Sequence, residues 1–421
     1  MKKLLILTLA FLLPPGFVPM ERETTPLALT QQVWKQTASS FYSSTMNGVD
    51  WPAIGKSYEE KVQTVPTAAE ALPLINQMLA KLNSSHTRLL ANDDPAYYQL
   101  LDIFRGRSLW PSIKKRFKEV SYSGIGIFTK NIDGRLFVSG VIDGGPAQKG
   151  GLLVGDELLH VDGFDFHPYE SFAHKAGKEL TLHVRSSKDK LRTIYITPEI
   201  IKPYEFFKAS IFKSARLVEI DGQEVGYVRI WCYAHSEYHQ ELVNLLSKGL
   251  LRQAKALVLD LRGGWGGADP AFLSLFSKRI PNVQLKFRNG KKRRLLNKEQ
   301  LSPEFTWSRP VCLLVDETTR SGKEVFAYAF KEYGIGPVVG TPTAGAVVGG
   351  TAYFMKDDYL LYLAIADLTC DGKRLEGNPI QPDVLLHHTL PYSAGADPQL
   401  ECAVALMARS IVSTKKKRSK K

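Results

Sequence analysis

Ala256-Leu257-Val258-Leu259-Asp260-Leu261, followed at once by Arg262-Gly263-Gly264-Trp265-Gly266-Gly267, is an apolar run without alternation that ends in four glycines within five positions. Runs of this kind suit strands covered on both faces, as in a parallel sheet layered between helices. The pattern recurs at Tyr227-Val228-Arg229-Ile230, Val311-Cys312-Leu313-Leu314-Val315-Asp316 and Val338-Val339-Gly340, with amphipathic stretches near Glu241 to Leu251 and from Glu324 to Tyr333. A further strand is expected from Asp358 to Leu363. Residues 205–412 therefore read as an α/β layered domain, with chemistry expected in the loops that follow strands. Glycines this dense imply close backbone approach or positive φ, as in a loop that aims N–H groups at a substrate oxygen. Phosphate binding is the competing reading, but no Gly-Lys-Ser/Thr follows and the spacing is not that of a dinucleotide fingerprint.

Upstream the periodicity changes twice. Over residues 25–115 apolar side chains often recur at helical spacing, as in Ala69-Ala71-Leu72-Leu74-Ile75-Met78-Leu79-Leu82, which predicts an N-terminal helical region. Over residues 120–200 short β-branched runs alternate with glycines: Gly124-Ile125-Gly126-Ile127-Phe128, Leu136 to Val141, Leu158 to Gly163, Leu180 to Val184 and Thr193 to Ile196. These predict a compact β module, with Gly145 to Gly150 as a short helix. The order of its segments, and the motif from Gly144 to Leu158, resemble a PDZ domain. The resemblance implies that Gly124, Ile125, Gly126 and Ile127 form a peptide-binding loop, where backbone donors converge on a terminal carboxylate beside a sheet edge. Simple hairpin turns are the plainer reading of the same glycines.

Composition bounds the classes of function. The chain has 421 residues, 44% hydrophobic and 23% charged, which describes a globular protein of two or three domains with a real core. Residues 1–20 open with Met1-Lys2-Lys3, run apolar from Leu4 to Leu13 and break at Pro14-Pro15-Gly16, the layout of a secretory signal too short to span a membrane. An exported protein, periplasmic or secreted, is therefore expected, although no Ala-x-Ala site marks the cleavage point. The net charge of +13 suggests nucleic acid, but Lys2, Lys3 and the basic tail over 413–421 hold eight of those charges and leave about +5 on the folded body. Nucleic-acid binding is thus not expected. The tail reads as a solvated segment, with an anionic envelope surface as its alternative partner. Cys232, Cys312, Cys370 and Cys402 lack the Cys-x-x-Cys spacing of zinc or redox sites and read as buried thiols. No His-x-x-x-His or clustered carboxylate pattern argues for a metal, so neither metal nor cofactor is expected.

Chemistry concentrates in three segments. Ser85 and His86 follow the helical run; Thr319-Arg320-Ser321-Gly322-Lys323-Glu324 follows a buried strand and opens a helix; Glu376 lies in a loop rich in glycine, asparagine and proline. A serine hydroxyl becomes nucleophilic when an imidazole takes its proton and a carboxylate orients the imidazole, and these three segments supply all three groups. A helix start also offers N–H groups and partial positive charge to an oxyanion. Taken singly, Ser321 with Glu324 is equally a capping box, and His86 equally a structural histidine.

Taken together with Gly340-Thr341-Pro342-Thr343-Ala344-Gly345 and with Glu376 to Asp383, these segments resemble the C-terminal processing and tricorn-type serine peptidases over roughly residues 70–390. The resemblance implies a crotonase- or ClpP-like layered α/β core with an inserted PDZ-like module, and polypeptide substrates. In the processing branch the base is a lysine in the loop that here carries Ala346; that lysine is missing. The tricorn branch implies Ser321 as nucleophile, His86 as base, and Glu376 as the group that orients it through Ser85. The oxyanion hole would be formed by the N–H of Gly322 with that of Gly267 or Gly266. The expected activity is that of an endopeptidase acting on unfolded proteins or C-terminal tails. A retired member that only binds peptides or hydrophobic ligands is the alternative, and an oligomer is compatible with either.

Overall fold

A computed structural model describes residues 24–105, 109–296 and 305–418. The signal-like segment lies outside the described residues, as do the last three residues of the basic tail. The chain begins with three helices: α1 (Pro26–Ser40), α2 (Trp51–Val62) and α3 (Ala68–Ala80). Each starts on a side-chain cap, with Thr25 accepting from Ala28 N–H at 3.2 Å, Asp50 from Ala53 at 3.0 Å and Thr67 from Glu70 at 3.2 Å. Their apolar faces, including Leu29, Val33, Ile75 and Leu79, bury against Leu361 and Leu363 from far along the chain. After α3 the chain forms β1 (Arg88–Leu90), then α4 (Pro95–Ile103) and α5 (Trp110–Arg116).

The next unit contains β2 (Tyr122–Gly124), β3 (Ile127–Ile132), β4 (Arg135–Val141), α6 (Pro146–Lys149), β5 (Glu157–Val161) and β6 (Phe164–Asp165). It is completed by β7 (Leu180–Ser187), β8 (Lys190–Ile196) and β9 (Glu199–Ile201). The strands run in the order β3-β4-β5-β7-β8, so β3 is an edge, while β2 and β9 pair with each other where the chain enters and leaves. The side chains of β7 alternate strictly, sending Leu180, Leu182 and Val184 into a core of their own with Val138, Ile194 and Ile196.

The remaining chain begins with α7 (Pro203–Ser214), β10 (Arg216–Ile220), β11 (Gln223–Arg229), α8 (Ser236–Ser247) and β12 (Ala256–Asp260). It continues through β13 (Val283–Phe287), β14 (Lys292–Arg294), β15 (Val311–Val315), α9 (Gly322–Glu332) and β16 (Val338–Gly340). The last elements are β17 (Gly349–Phe354), β18 (Leu360–Cys370), β19 (Lys373–Arg374), β20 (Val384–Leu385) and α10 (Pro398–Arg418). One sheet runs β10-β11-β12-β15-β16-β20, parallel from β11 onward. Alternate residues of its strands feed two cores. Leu257, Leu259, Leu313 and Val315 face the large core shared with Phe326 and Phe330 of α9, whereas Val258, Cys312 and Leu314 face Val404, Met407 and Ile411 of α10. Each such side chain contributes about 1.5–3 kcal/mol through removal from water. A second sheet, β1-β18-β13-β14 with β17 and β19 added to β18, ties the N-terminal helices to this layer.

Two expectations shift in detail. The strand expected from Asp358 starts at Leu360 and continues to Cys370. The basic segment expected to be a solvated tail from residue 413 is the end of α10, which stays helical through Arg418. The helix continues there because nothing in Ser413-Thr414-Lys415-Lys416-Lys417-Arg418 breaks it.

Candidate active site

The three C-terminal ends of β12, β15 and β16 lie side by side, and their loops build one face of a cleft of about 1460 Å³. The loop after β12 is tied down by Asp260, fully buried, whose carboxylate takes hydrogen bonds from Arg262 at 2.7 and 2.9 Å and from Tyr227 at 2.9 Å. Burial alone would raise the pKa of Asp260, but the guanidinium groups of Arg262 and Arg229 hold it well below the usual carboxylate range. The glycines that follow are demanded by contact. A Cβ on Gly266 would sit 2.6 Å from the Ser321 Cβ, one on Gly322 2.5 Å from the Ala268 backbone, and one on Gly267, where φ is +101°, 2.7 Å from Ala234 Cα. The backbones of the glycine loop and the serine turn are thus in direct contact. Among the described residues, neither Gly267 N–H nor Gly322 N–H is donated to a protein acceptor.

Ser321 follows a turn organised by Asp316, whose Oδ1 accepts from Thr318 and Thr319 N–H at 3.0 and 2.9 Å and from Gly263 N–H at 3.3 Å. Ser321 itself holds φ +60° and ψ −131°, a sparsely populated conformation, immediately before α9. Its N–H is shared between Ala346 O at 2.9 Å and Glu324 Oε2 at 3.1 Å. The Glu324 half of a capping box is therefore made. Glu324 N–H goes to the Ser321 carbonyl at 2.8 Å and lies within capping-box reach of the Ser321 side chain, which lines the cleft. The Glu324 carboxylate also accepts from Thr343 Oγ1 at 2.6 Å, Gly345 N–H at 2.7 Å and Ala346 N–H at 2.8 Å. Burial raises the Glu324 pKa against these donors.

His86 lines the same cleft. Asn76 of α3 clamps Leu89 of β1 through both backbone groups, at 2.8 and 3.0 Å, and so sets where the preceding turn can go. Glu376 accepts Ser85 N–H at 2.7 Å, Ser85 Oγ–H at 2.8 Å and Val347 N–H at 2.7 Å. Ser85 Oγ lies 2.9 Å from His86 Nδ1. Since Ser85 gives its proton to Glu376, its oxygen accepts from Nδ1–H, and the Nε2 lone pair is left free. Glu376 thus meets His86 only through Ser85. The imidazole is half-buried; desolvation, with the Arg320 charge adding to it, lowers its pKa to about 3.

Gly124, Ile125, Gly126 and Ile127 also line the cleft. Gly124 pairs with Glu199, Ile125 points into the β-module core, and its carbonyl accepts from Ala147 N–H at 2.9 Å. Gly126, at φ +75°, is faced by the Phe206 ring of α7, which a Cβ would meet at 2.7 Å. The β3 edge begins at Ile127.

Two neighbours of Ser321 escape a reading by motif. Lys323 is fully buried, donates to Trp231 O at 3.1 Å and Gly263 O at 3.0 Å, and has its pKa lowered to about 7 by burial. Arg320 donates to Gly264 O at 3.1 Å and lies over the Trp265 ring. The signal for Lys323 was a lysine inside an otherwise apolar helix face. Ala346, at the position of the absent lysine, contributes backbone hydrogen bonds to Ser321 and Glu324.

The layered α/β core with its inserted β unit is the architecture on which the family matches fall, and those matches indicate a serine-type peptidase. Residues 224–386 match peptidase family S41, residues 31–80 the tricorn protease C1 domain and residues 112–192 the PDZ domain, and the chain is similar to C-terminal processing and tricorn-type peptidases. It is 26% identical over 342 residues to the carboxyl-terminal-processing protease of Picosynechococcus sp., covering 78% of this chain and 76% of the relative. It is 25% identical over 414 residues to putative tricorn protease homolog 2 of Streptomyces coelicolor, covering 91% of this chain but 32% of that one. Among solved structures, a photosystem II D1 C-terminal processing protease superposes with TM-score 0.53 at 21% identity, covering 89% of this chain and 98% of its own, a likeness of fold. Among the described residues, no helix is long and apolar enough to cross a membrane.

Proposed function

We propose that the protein is an exported serine endopeptidase that cleaves unfolded proteins or C-terminal tails, with Ser321 as nucleophile and His86 as general base. The observation that carries this reading is the hydrogen-bonded series from Glu376 through Ser85 to His86, in the same cleft as the Ser321 helix start. His86 Nε2 takes the proton from Ser321 Oγ as that oxygen bonds to the scissile carbonyl carbon. The carbonyl oxygen, now negative, is received by the N–H groups of Gly322 and Gly267. Collapse breaks the C–N bond, and His86 returns the proton to the departing amine. Water then attacks the acyl-enzyme with the same base. The work of Glu376 and Ser85 is to hold the imidazole in the tautomer with Nε2 unprotonated.

The PDZ-like unit is read as the capture site, with the β3 edge adding the substrate tail as a further strand. The opening segment is read as an export signal, and the basic end of α10 as the part of the chain suited to an anionic envelope surface. Reaction with a fluorophosphonate, followed by mapping of the modified residue, tests the reading. Label on Ser321 is expected, together with loss of both labelling and casein cleavage in Ser321→Ala. A protein that neither reacts nor cleaves would instead be a peptide-binding member with a silent site.

A further inference from the structure

Arg320 is the residue immediately before Ser321, and its side chain lines the same cleft. Of the five N–H donors of a guanidinium, one is accounted for, Nη2 to Gly264 O at 3.1 Å. The planar group lies 4.7 Å from the Trp265 ring centroid, and Nε is buried with no hydrogen-bond partner among the described residues. No carboxylate forms an ion pair with it there, in contrast to Arg262, held by Asp260 and Asp397, and to Arg192, held by Asp156. Of the three acids that line the cleft, Asp94 pairs with Arg88 at 3.1 Å, Asp269 accepts from Ala271 N–H at 2.8 Å, and Asp93 forms no ion pair with Arg320 among the described residues. A half-buried cation with no ion-paired carboxylate carries part of the cost of desolvation, so a site that keeps one gains when a ligand supplies the anion.

We propose that Arg320 binds a carboxylate carried by the substrate next to the scissile bond, either an Asp or Glu side chain or the substrate's own C-terminus. The proposal rests on the peptidase reading above. The guanidinium fork matches a carboxylate in two parallel hydrogen bonds, and its place one residue from the nucleophile puts that contact beside the reacting carbonyl. Contact with the Trp265 ring restricts the side chain and so limits the entropy lost when the partner arrives. If Arg320 were only a strut for Gly264, the charge of the substrate would be indifferent to it.

The test is kcat/KM for matched peptides with Glu or Gln at each residue flanking the cleaved bond, and for peptides with a free or amidated terminus one residue beyond it. Wild type should favour the acid form roughly tenfold or more in at least one arm, and the arm that responds identifies the source of the carboxylate. That ratio should fall to about one in Arg320→Gln and below one in Arg320→Glu, whatever the absolute rates. Arg320→Lys, which keeps the charge without the fork, should lie between and serves if the other variants do not fold. Equal cleavage of acid and neutral forms in every arm, or an acid preference that survives Arg320→Gln, overturns the proposal. Should no peptide be cleaved, the peptidase reading fails by itself. Fluorescence anisotropy with the same peptides still decides this one: tighter binding of the acid form, lost in Arg320→Gln, supports it, and equal binding overturns it.

Discussion

Ser321 and His86 both hold φ in the left-handed region, at +60° and +55°, which costs a residue with a Cβ about 1–3 kcal/mol. Each is held there by hydrogen bonds: Ser321 by the distant Ala346 and by Glu324 of its own helix start, and the turn of His86 by the distant Glu376 through Ser85. Because the Ser321 clamp grips its N–H, removing the hydroxyl should not release it. Ser321→Ala is therefore expected to lower the cleavage rate about 10⁴-fold or more while stability moves by no more than about 0.5–2 kcal/mol, read by casein cleavage and thermal unfolding. An alanine variant that cleaves casein at the parental rate would remove Ser321 from the mechanism. A motif-level reading of the imidazole places its titration near neutrality, and the structure moves it down to about 3 through burial and the Arg320 charge. The neutral, base-competent form then persists into acid, so the rising limb of log kcat/KM should lie well below pH 6.5. The unfolded chain takes up this proton near pH 6.5 and the folded chain only near 3, so His86 withdraws stability as pH falls through that window. A limb near pH 7 that disappears in Lys323→Met would assign the base to Lys323 instead.

At the scale of elements, the loop from Thr341 to Val347 joins the two halves of the site. Thr343, Gly345 and Ala346 bind the Glu324 carboxylate of α9, and Val347 N–H binds Glu376. Glu324→Gln replaces one accepting oxygen with an amide NH2 that can only donate, and strands at least one buried N–H or O–H. The expected cost is about 1–3 kcal/mol of stability, seen as a lower Tm, with a larger proportional fall in kcat/KM because nucleophile and base lose their common anchor. Unchanged Tm and rate together would show that the clamp is not needed. Lys323→Met removes the donor shared by Trp231 O and Gly263 O and should loosen the glycine loop, lowering kcat more than it raises KM. A change confined to KM would place that loop outside the oxyanion step. The strands, the glycine loop and the helix after Ser321 were legible in the sequence because periodicity and glycine density are local signals. Lys323 and Arg320 were not, because their partners are backbone carbonyls of Trp231, Gly263 and Gly264, 56 to 92 positions away. No side-chain pattern marks a backbone acceptor. The pairing of β1 with β18, which delivers His86, is hidden for the same reason: it joins residues 88–90 to residues 360–362.

At the scale of the whole molecule, the cleft is walled by the N-terminal helices, the PDZ-like unit and the α/β core together. Their junctions are specific. Trp265 of the glycine loop donates to Gln99 of α4 at 2.8 Å, and Gln99 donates to Tyr122 of β2 at 3.0 Å. Phe128 of β3 stacks on Trp231 of the core, whose indole N–H donates to Asp143 at 3.0 Å. A peptide added to the β3 edge would therefore enter the cleft that holds Ser321, and its own terminus would point toward the Gly124 to Ile127 loop. In that loop Gly124 is paired with Glu199, and the Phe206 ring packs against Gly126, where it can limit the approach of a terminal carboxylate. Amidating the terminus of a long tail peptide should then weaken its binding to Ser321→Ala protein roughly tenfold, measured by calorimetry, because a charge-assisted set of backbone donors is lost. Phe206→Ala, which uncovers the loop, should tighten binding of the free-acid form and leave the amidated form unchanged. Equal affinities for the two forms in both proteins would reject terminal capture and leave β3 as a packing edge between the PDZ-like unit and the core.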